Sequence, residues 1–343
     1  MIVTLTLNPS LDRTLALESL RRGEVLRATS ARIDPGGKGV NVTRVLRAFD
    51  VDSHAVIPCA GPDGEELVRL LSTAGVPVTE VPVSGWTRSN ITLVEAGGRA
   101  TKVNAPGGAL TDEEVALLAE TVVGLCVAGP DKGSATSLAT QPSAGSATAR
   151  AARASWAVLS GSLPPGVPDD VYASLTALFA EHGVRVAVDT SGAALLAAVD
   201  AGPDLVKPNR QELAAAVGTP LNSLDDVVAA AEKLRSRGVK AVVASLGSDG
   251  AVLVDESGAV FGTADAIDPV STVGAGDALL AGFLAAGGQG ERALIEGMAW
   301  ARAAVGLPGS QMPGPRDVSR EGIRVVRDPG GEPARAVQLA DNG

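Results

Sequence analysis

Ser271-Thr272-Val273-Gly274-Ala275-Gly276-Asp277 runs directly into the apolar stretch Ala278-Leu279-Leu280-Ala281-Gly282-Phe283. Gly274 and Gly276 let backbone come close to a ligand because neither carries a Cβ. The first N–H groups of the helix that follows have no intrahelical partner, and the helix dipole gathers partial positive charge there. Loop and helix end together form an anion site made of backbone alone. Asp277 lies in the first turn of that helix. A carboxylate beside an anion hole is what phosphoryl transfer needs: a base for the attacking hydroxyl, and donors for the transferred group. An Asp near a helix N-terminus is also a common cap, so this stretch by itself leaves cap and base open. Leu279 stands where a dinucleotide fingerprint wants its third glycine, and no stretch reads G-x-x-x-x-G-K-[ST].

A second glycine loop meets a second helix start at Pro35-Gly36-Gly37-Lys38-Gly39-Val40-Asn41. Here Lys38 adds a cation, and Asn41 adds an amide able to donate or accept at a sugar hydroxyl. Asp12 follows the strand Ile2–Leu7 at the end where α/β folds place ligand contacts. It suits gripping substrate hydroxyls or simply closing a turn. Arg88 could hold a phosphate through charge-assisted hydrogen bonds, or be a solvated surface residue. Asn209 and Glu212 have the spacing of a helix N-cap and its N3 partner. The same pair could orient a hydrated Mg²⁺, which is usually bound through few protein oxygens. Val242 to Gly250 is a strand ending in a glycine turn, an edge suited to nucleotide phosphates.

Strands and helices must bring these groups together. They alternate over most of the chain, which predicts a mainly parallel sheet with helices on both faces. Each cluster falls where a strand ends and a helix begins, and in such a sheet those points share one edge. Glu24 to Asp34 is strand-like but too polar for a central strand, and Trp86 to Val94 with Arg99 to Ala105 reads as a second pair of the same kind. These segments, roughly 12–34 and 86–105, predict a small β lid with one wet face. Thr111-Asp112-Glu113-Glu114 reads as a capping box. The low-complexity segment 129–154 is expected to be a flexible insertion within one domain spanning 1–327, and 328–343 a flexible tail.

Composition narrows the class. Apolar residues make up 45% of the 343, aromatics only 2%, so Ala, Val and Leu must fill the core. A net charge of −10 argues against a nucleic-acid or anionic-membrane partner, though a local Lys/Arg cluster could still hold a small anion. Cys59 and Cys126 have no metal or redox spacing and read as buried residues of a reducing compartment. No stretch reaches the ~18 apolar residues of a membrane span. The expectation is a cytoplasmic, soluble protein.

The motifs resemble those of the ribokinase-like (PfkB) carbohydrate kinases over nearly the whole chain. Gly36-Gly37-Lys38-Gly39-x-Asn41 and Thr272-Val273-Gly274-Ala275-Gly276-Asp277 carry the match. Leu159-Ser160-Gly161-Ser162-Leu163-Pro164, Val206-Lys207-Pro208-Asn209-x-x-Glu212 and Ser245-Leu246-Gly247-x-x-Gly250 lie between them in the family's order. Thr6-Leu7-Asn8-Pro9-Ser10-Leu11-Asp12 and Trp86-Thr87-Arg88-x-Asn90 resemble its phosphosugar branch, which holds 1-phosphofructokinases, tagatose-6-phosphate kinases and minor 6-phosphofructokinases.

The resemblance implies a three-layer α/β/α domain with a small β lid, and transfer of a phosphoryl group from ATP with Mg²⁺. It makes Asp277 the base and Gly274, Ala275 and Gly276 the anion hole. It puts Asp12, Gly37, Lys38 and Asn41 on the sugar, and Arg88, Asn90, Arg27 and Lys102 toward the phosphate already there. It assigns Asn209 and Glu212 to Mg²⁺. Lys207, Ser245, Leu246, Gly247, Ser248, Asp249, Gly250, Thr272 and Gly276 go to the nucleotide. In many members the lid pairs with a second subunit's lid; a monovalent cation stays open. Lys38 in the glycine loop, with Val25 where the minor 6-phosphofructokinases tend to carry lysine, resembles the 1-phosphofructokinases and implies fructose 1-phosphate as acceptor. Tagatose-6-phosphate kinase and 6-phosphofructokinase are the alternatives. A nucleoside or vitamin kinase would not need the cations Lys38, Arg88 and Arg27. A non-catalytic sugar-phosphate-binding regulator would not need an intact Asp277.

Overall fold

Alternation in Ile2-Val3-Thr4-Leu5 sends Val3 and Leu5 into the core on one face of a sheet and Ile2 into the core on the other. Thr4 points with Ile2, where its hydroxyl shares a buried hydrogen bond with that of Thr43 at 2.7 Å. The same two-sided burial recurs in the neighbouring strands, as expected of a sheet covered on both faces.

The computed structural model describes residues 1–128 and 154–328. In chain order the elements are β1 (Ile2–Leu5), β2 (Ser10–Leu17), β3 (Ser30–Gly36), α1 (Lys38–Ala48), β4 (Ser53–Cys59), α2 (Gly61–Thr73), β5 (Val78–Pro82), β6 (Arg88–Glu95), β7 (Ala100–Val103) and α3 (Asp112–Ala128). Then come β8 (Trp156–Ser160), α4 (Val171–Glu181), β9 (Arg185–Asp189), α5 (Gly192–Asp200), β10 (Leu205–Val206), α6 (Arg210–Val217), α7 (Leu224–Arg235) and β11 (Ala241–Ser245). The last are β12 (Ala251–Asp255), β13 (Gly258–Ala264), α8 (Ala275–Ala285), α9 (Gly290–Val305) and β14 (Ile323–Arg327).

The large sheet has ten strands in the order β14-β13-β12-β11-β10-β9-β8-β1-β4-β5. From β11 to β5 every pairing is parallel, while β12, β13 and β14 close one edge antiparallel. Leu118, Leu175, Leu195, Leu213 and Val227, from α3 to α7, pack on one face; Val42, Leu279 and Leu294, from α1, α8 and α9, pack on the other. Strand order reverses at β1 and β8, so their C-terminal ends flank the crevice where such sheets bind ligands.

A separate four-stranded sheet, β3-β2-β6-β7, stands beside this crevice. Its register sets Asp12 opposite both Asp34 and Asn90, and puts Arg13 in a row with Ile33, Ile91 and Val103 on the other face. Arg13 and Ser89 both bond to Asp63 of α2, at 2.8 and 2.6 Å, which fastens the sheet's base. From β3, Arg32 reaches the carbonyl of Pro308 at 3.3 Å.

One expected lid strand is shorter than the sequence reading had it. Strand pairing within 24–34 is confined to Ser30 onward, because 21–25 and 27–29 are exposed and Gly23 turns at φ 80°. The insertion 129–154 and the tail 328–343 lie outside the described residues, apart from Ala154 and Asp328 at their margins. Among the described residues no helix is long and apolar enough to cross a membrane.

Candidate active site

Gly274 takes the left-handed conformation (φ 79°, ψ −3°) at the N-cap of α8, a backbone state that an L-residue adopts only with strain. The loop before it is held by Ser271, whose hydroxyl donates to the Gly309 carbonyl at 2.9 Å and accepts from the Val273 N–H at 3.2 Å. Helix α8 has no side-chain cap bond. Asp277 therefore does not cap it. Its Oδ2 instead accepts from Asn41 Nδ2 of α1 at 2.9 Å.

Asp277 is 8% exposed. Burial pushes its carboxyl up to about 7, and the negative charge of Asp189 adds to the shift; the Asn41 amide, Lys207 and Lys38 pull the other way. A carboxylate poised near neutrality at the start of a helix can take a proton from a hydroxyl.

Asp189, at the C-terminal end of β9, is the residue the sequence reading missed. It is fully buried between two cations, with Lys38 Nζ at 2.8 Å from Oδ1 and Lys207 Nζ at 3.1 Å from Oδ2. Burial alone would raise its pKa, but Lys207 and Lys38 outweigh burial and hold it below the usual carboxylate range. Burial likewise disfavours the Lys38 ammonium, but Asp189 and Glu212 more than offset it, so Lys38 stays charged well above the ordinary lysine value. A Cβ on Gly276 would lie 3.3 Å from Lys207 Nζ, so the ammonium abuts the first turn of α8. Asp277, Asn41, Gly276, Lys207, Asp189, Lys38 and Glu212 thus form one connected network. They come from the ends of β9 and β10 and the N-termini of α1, α6 and α8.

On the small sheet, Asp12 Oδ1 accepts from Ser10 Oγ at 2.7 Å and from Asn90 Nδ2 at 3.0 Å. The Asp12 carboxylate lies against the Gly36 Cα, and any Cβ there would overlap it. Gly37, at φ 115°, passes over Thr6, whose hydroxyl accepts from the Val40 N–H at 3.1 Å. Arg88 donates through Nη1 to the Ala105 carbonyl and through Nη2 to the Asn8 carbonyl, both at 3.0 Å. Its Nε and the Oδ1 of Asn90 are buried without partners. A buried donor and acceptor left unmade are costly, and a bound sugar phosphate would offer both an acceptor and a donor.

The three cations Lys38, Arg88 and Arg27 have different surroundings in the structure. Lys38 goes to Asp189 and Glu212, Arg88 goes to backbone carbonyls, and Arg27 is exposed in the loop between β2 and β3. Lys102 is exposed on β7, opposite Thr92.

Most of the residues expected to face a nucleotide sit at the ends of β10 and β11. Lys207 is buried; Ser245 bridges to Asn209; Gly247, Ser248 and Asp249 form a single 3-10 turn. Gly250, at φ 112°, passes so close to the Gly262 carbonyl that only glycine fits. The Leu246 side chain is 2% exposed and turned into the core, so only its backbone could face a ligand. Thr272 is exposed on the approach to Gly274.

Asn209 and Glu212 form a full capping box on α6: Asn209 Oδ1 accepts from the Glu212 N–H, and Glu212 Oε2 from the Asn209 N–H, each at 2.8 Å. Among the described residues no three His, Cys, Asp or Glu side chains gather as a metal cage. Besides Asp277, the acidic oxygens of this network are Glu212 Oε1 and the Asp189 carboxylate, which face the Lys38 and Lys207 ammoniums. That donor set fits a divalent ion that keeps most of its water and leans on phosphate oxygens.

The pfkB family of carbohydrate kinases matches residues 5–129 and 115–317. The chain is 36% identical over 282 residues to the ATP-dependent 6-phosphofructokinase isozyme 2 of Escherichia coli (strain K12), covering 81% of this chain and 83% of that one. It is also 36% identical over 289 residues to a 1-phosphofructokinase of Xanthomonas campestris pv. campestris, covering 83% of each. Its structure resembles that of phosphofructokinase-2 from Escherichia coli in complex with potassium, with a TM-score of 0.80 and 34% identity over 92% of this chain and 96% of that one. Fold, motifs and matches agree over most of the length, and the chain belongs to the pfkB family of carbohydrate kinases, phosphotransferases that act on a sugar hydroxyl.

Proposed function

We propose that this kinase transfers the γ-phosphoryl of ATP to a ketohexose phosphate, converting D-fructose 1-phosphate to fructose 1,6-bisphosphate. The observation that carries the mechanism is Asp277: buried, its carboxyl pushed up to about 7 by that burial, and set at the N-terminus of α8 beside Gly274-Ala275-Gly276. Asp277 takes the proton of the acceptor hydroxyl as that oxygen attacks. The backbone N–H groups of the loop and first turn meet the transferred phosphoryl, whose negative charge the helix dipole favours. Asp12 and Asn41 hold sugar hydroxyls, and the free Nε of Arg88 meets the phosphate already on the sugar. Lys207 and the turn at Ser245 to Gly250 receive the ATP phosphates. Mg²⁺, when bound, neutralises phosphate charge and would be oriented by Glu212 with Asp189 and Asn209.

The small sheet acts as a lid that excludes water from the γ-phosphate. Its outer row leaves Ile33, Ile91 and Val103 38%, 37% and 56% exposed. Apolar exposure of this kind fits pairing with the lid of a second copy, which sedimentation in solution would test. The reaction belongs in the cytoplasm, where ATP and phosphosugars are available.

Fructose 1-phosphate is preferred over fructose 6-phosphate because Lys38 occupies the glycine loop. The 6-phosphofructokinase of Escherichia coli among the relatives keeps fructose 6-phosphate as the second reading. The test is kcat/KM with Mg-ATP against fructose 1-phosphate, fructose 6-phosphate and tagatose 6-phosphate. A tenfold preference for fructose 1-phosphate, about 1.4 kcal/mol, supports the assignment. A preference for either 6-phosphate overturns the acceptor and keeps the chemistry. The potassium complex of the Escherichia coli relative adds a monovalent cation to the ions varied in that assay.

A further inference from the structure

Lys38 Nζ donates to Asp189 Oδ1 at 2.8 Å and lies 3.5 Å from Glu212 Oε1. Glu212 Oε2 is already committed to the capping box, and Asp189 Oδ2 faces Lys207. The ammonium of Lys38 therefore stands between the two carboxylate oxygens that the proposed reaction would turn toward a hydrated divalent ion. Two cations cannot share that position without strong repulsion in a partly buried site.

The two lysines differ in freedom. Lys207 is 4% exposed and packed beside Gly276, whereas the Lys38 side chain is 35% exposed and springs from the first residue of α1, with glycine on both sides. Lys38 is the one that can leave. It has reason to stay while the site is free of ligands, since a buried carboxylate without a counter-cation is heavily penalised. It has reason to leave when anionic phosphates arrive and compete for the same ammonium.

We propose that Lys38 is a resident counter-cation for the Asp189–Glu212 pair. It occupies the divalent-ion position in the ligand-free enzyme and yields it when a phosphate draws the ammonium away. Metal and phosphosugar then bind cooperatively through one side chain, and the coupling is reciprocal. This inference rests on the kinase reading for the role of the carboxylate pair.

The test is Mn²⁺ binding to the full chain without nucleotide, read as loss of the free-ion electron paramagnetic resonance signal. Lys38→Met is expected to bind Mn²⁺ at least tenfold more tightly than the wild type, and Lys38→Arg to resemble the wild type. Adding Glu212→Gln to Lys38→Met should cancel the gain, which places the ion at this pair. Fructose 1-phosphate should tighten Mn²⁺ binding tenfold or more in the wild type and under threefold in Lys38→Met. Thermal melts establish that each variant is folded, and Asp189 keeps Lys207 in all of them. Unchanged or weaker Mn²⁺ binding by folded Lys38→Met overturns the inference. Failure of the kinase reading shows separately, as absence of phosphosugar-dependent ATP turnover by the wild type.

Discussion

Asn41 Nδ2 donates to Asp277 Oδ2 at 2.9 Å, joining the first turns of α1 and α8 across 236 residues of sequence. Arg44 Nη1 donates to Asn41 Oδ1 at 3.1 Å and to the Pro35 carbonyl at 2.9 Å, so the amide is held with its NH₂ toward Asp277. Both glycine-loop helices therefore converge on one carboxylate.

That bond favours the ionised form of Asp277 against burial, which disfavours it. The base must be unprotonated, so kcat/KM should rise with pH through about 7 and level off above it. Asn41→Ala removes a bond that lowers the pKa and should move the midpoint of that rise upward. A midpoint left in place, whatever happens to the rate, would contradict the assignment of Asp277 as the titrating base.

The raised pKa has a stability consequence of definite sign. Between the unfolded carboxyl value near 4 and the folded value of about 7, the folded state keeps a proton that the unfolded state has lost. Stability from Asp277 is thus full below pH ~4 and lost progressively as pH rises to about 7. Asp277→Asn should be more stable than the wild type at pH 8, on the order of a few kcal/mol at 1.36 kcal/mol per unit, and gain little at pH 4. Thermal melts at the two pH values measure this, and an equal gain at both would refute it.

Gly36→Ala tests the sugar side alone. The new methyl would overlap Asp12, and Asp12 cannot swing freely because Ser10 and Asn90 hold its Oδ1. KM for the phosphosugar should rise tenfold or more while KM for ATP stays within about twofold, since a disturbed ground-state contact acts on its own ligand. Comparable damage to both constants would mean that Gly36 supports the fold and not the sugar site.

Asn209 and Glu212 separate capping from ion orientation. Asn209→Ala removes the bond to the Glu212 N–H and should cost ~1 kcal/mol of stability. Glu212→Gln keeps an acceptor for the Asn209 N–H, so Tm should move less, while half-saturation by Mg²⁺ should rise at least tenfold. Loss of stability without any change in Mg²⁺ dependence in Glu212→Gln would leave the pair purely structural.

The glycine loops were legible in the sequence because positive φ and close approach leave few choices of residue, as at Gly37, Gly250 and Gly274. The capping boxes of Thr111 with Glu114 and of Asn209 with Glu212 were legible because they are local in sequence. Asp189 was not, since a lone carboxylate ending Val186-Ala187-Val188 looks like any strand end until Lys38 and Lys207 fold against it from 151 residues upstream and from the next strand. The partners of Lys38 were hidden for the same reason. Glycine breaks the β13 pattern at Gly258 and Gly262, and arginine breaks that of the half-exposed β14 at Arg324 and Arg327, so neither shows an uninterrupted apolar run like Ala-Val-Val-Ala in β11. The stretch before Ser30 has strand-like composition without a partner to pair with, and pairing decides.

The role of Asp277 as base is tested most directly by Asp277→Asn, assayed for ATP-dependent phosphorylation of fructose 1-phosphate alongside calorimetric binding of the same phosphosugar. Asparagine keeps the shape and the neighbour Asn41 but cannot accept the hydroxyl proton as a base. Turnover should fall by ~10³-fold or more, with phosphosugar affinity within about threefold of the wild type. Near-normal turnover in this variant would contradict that role.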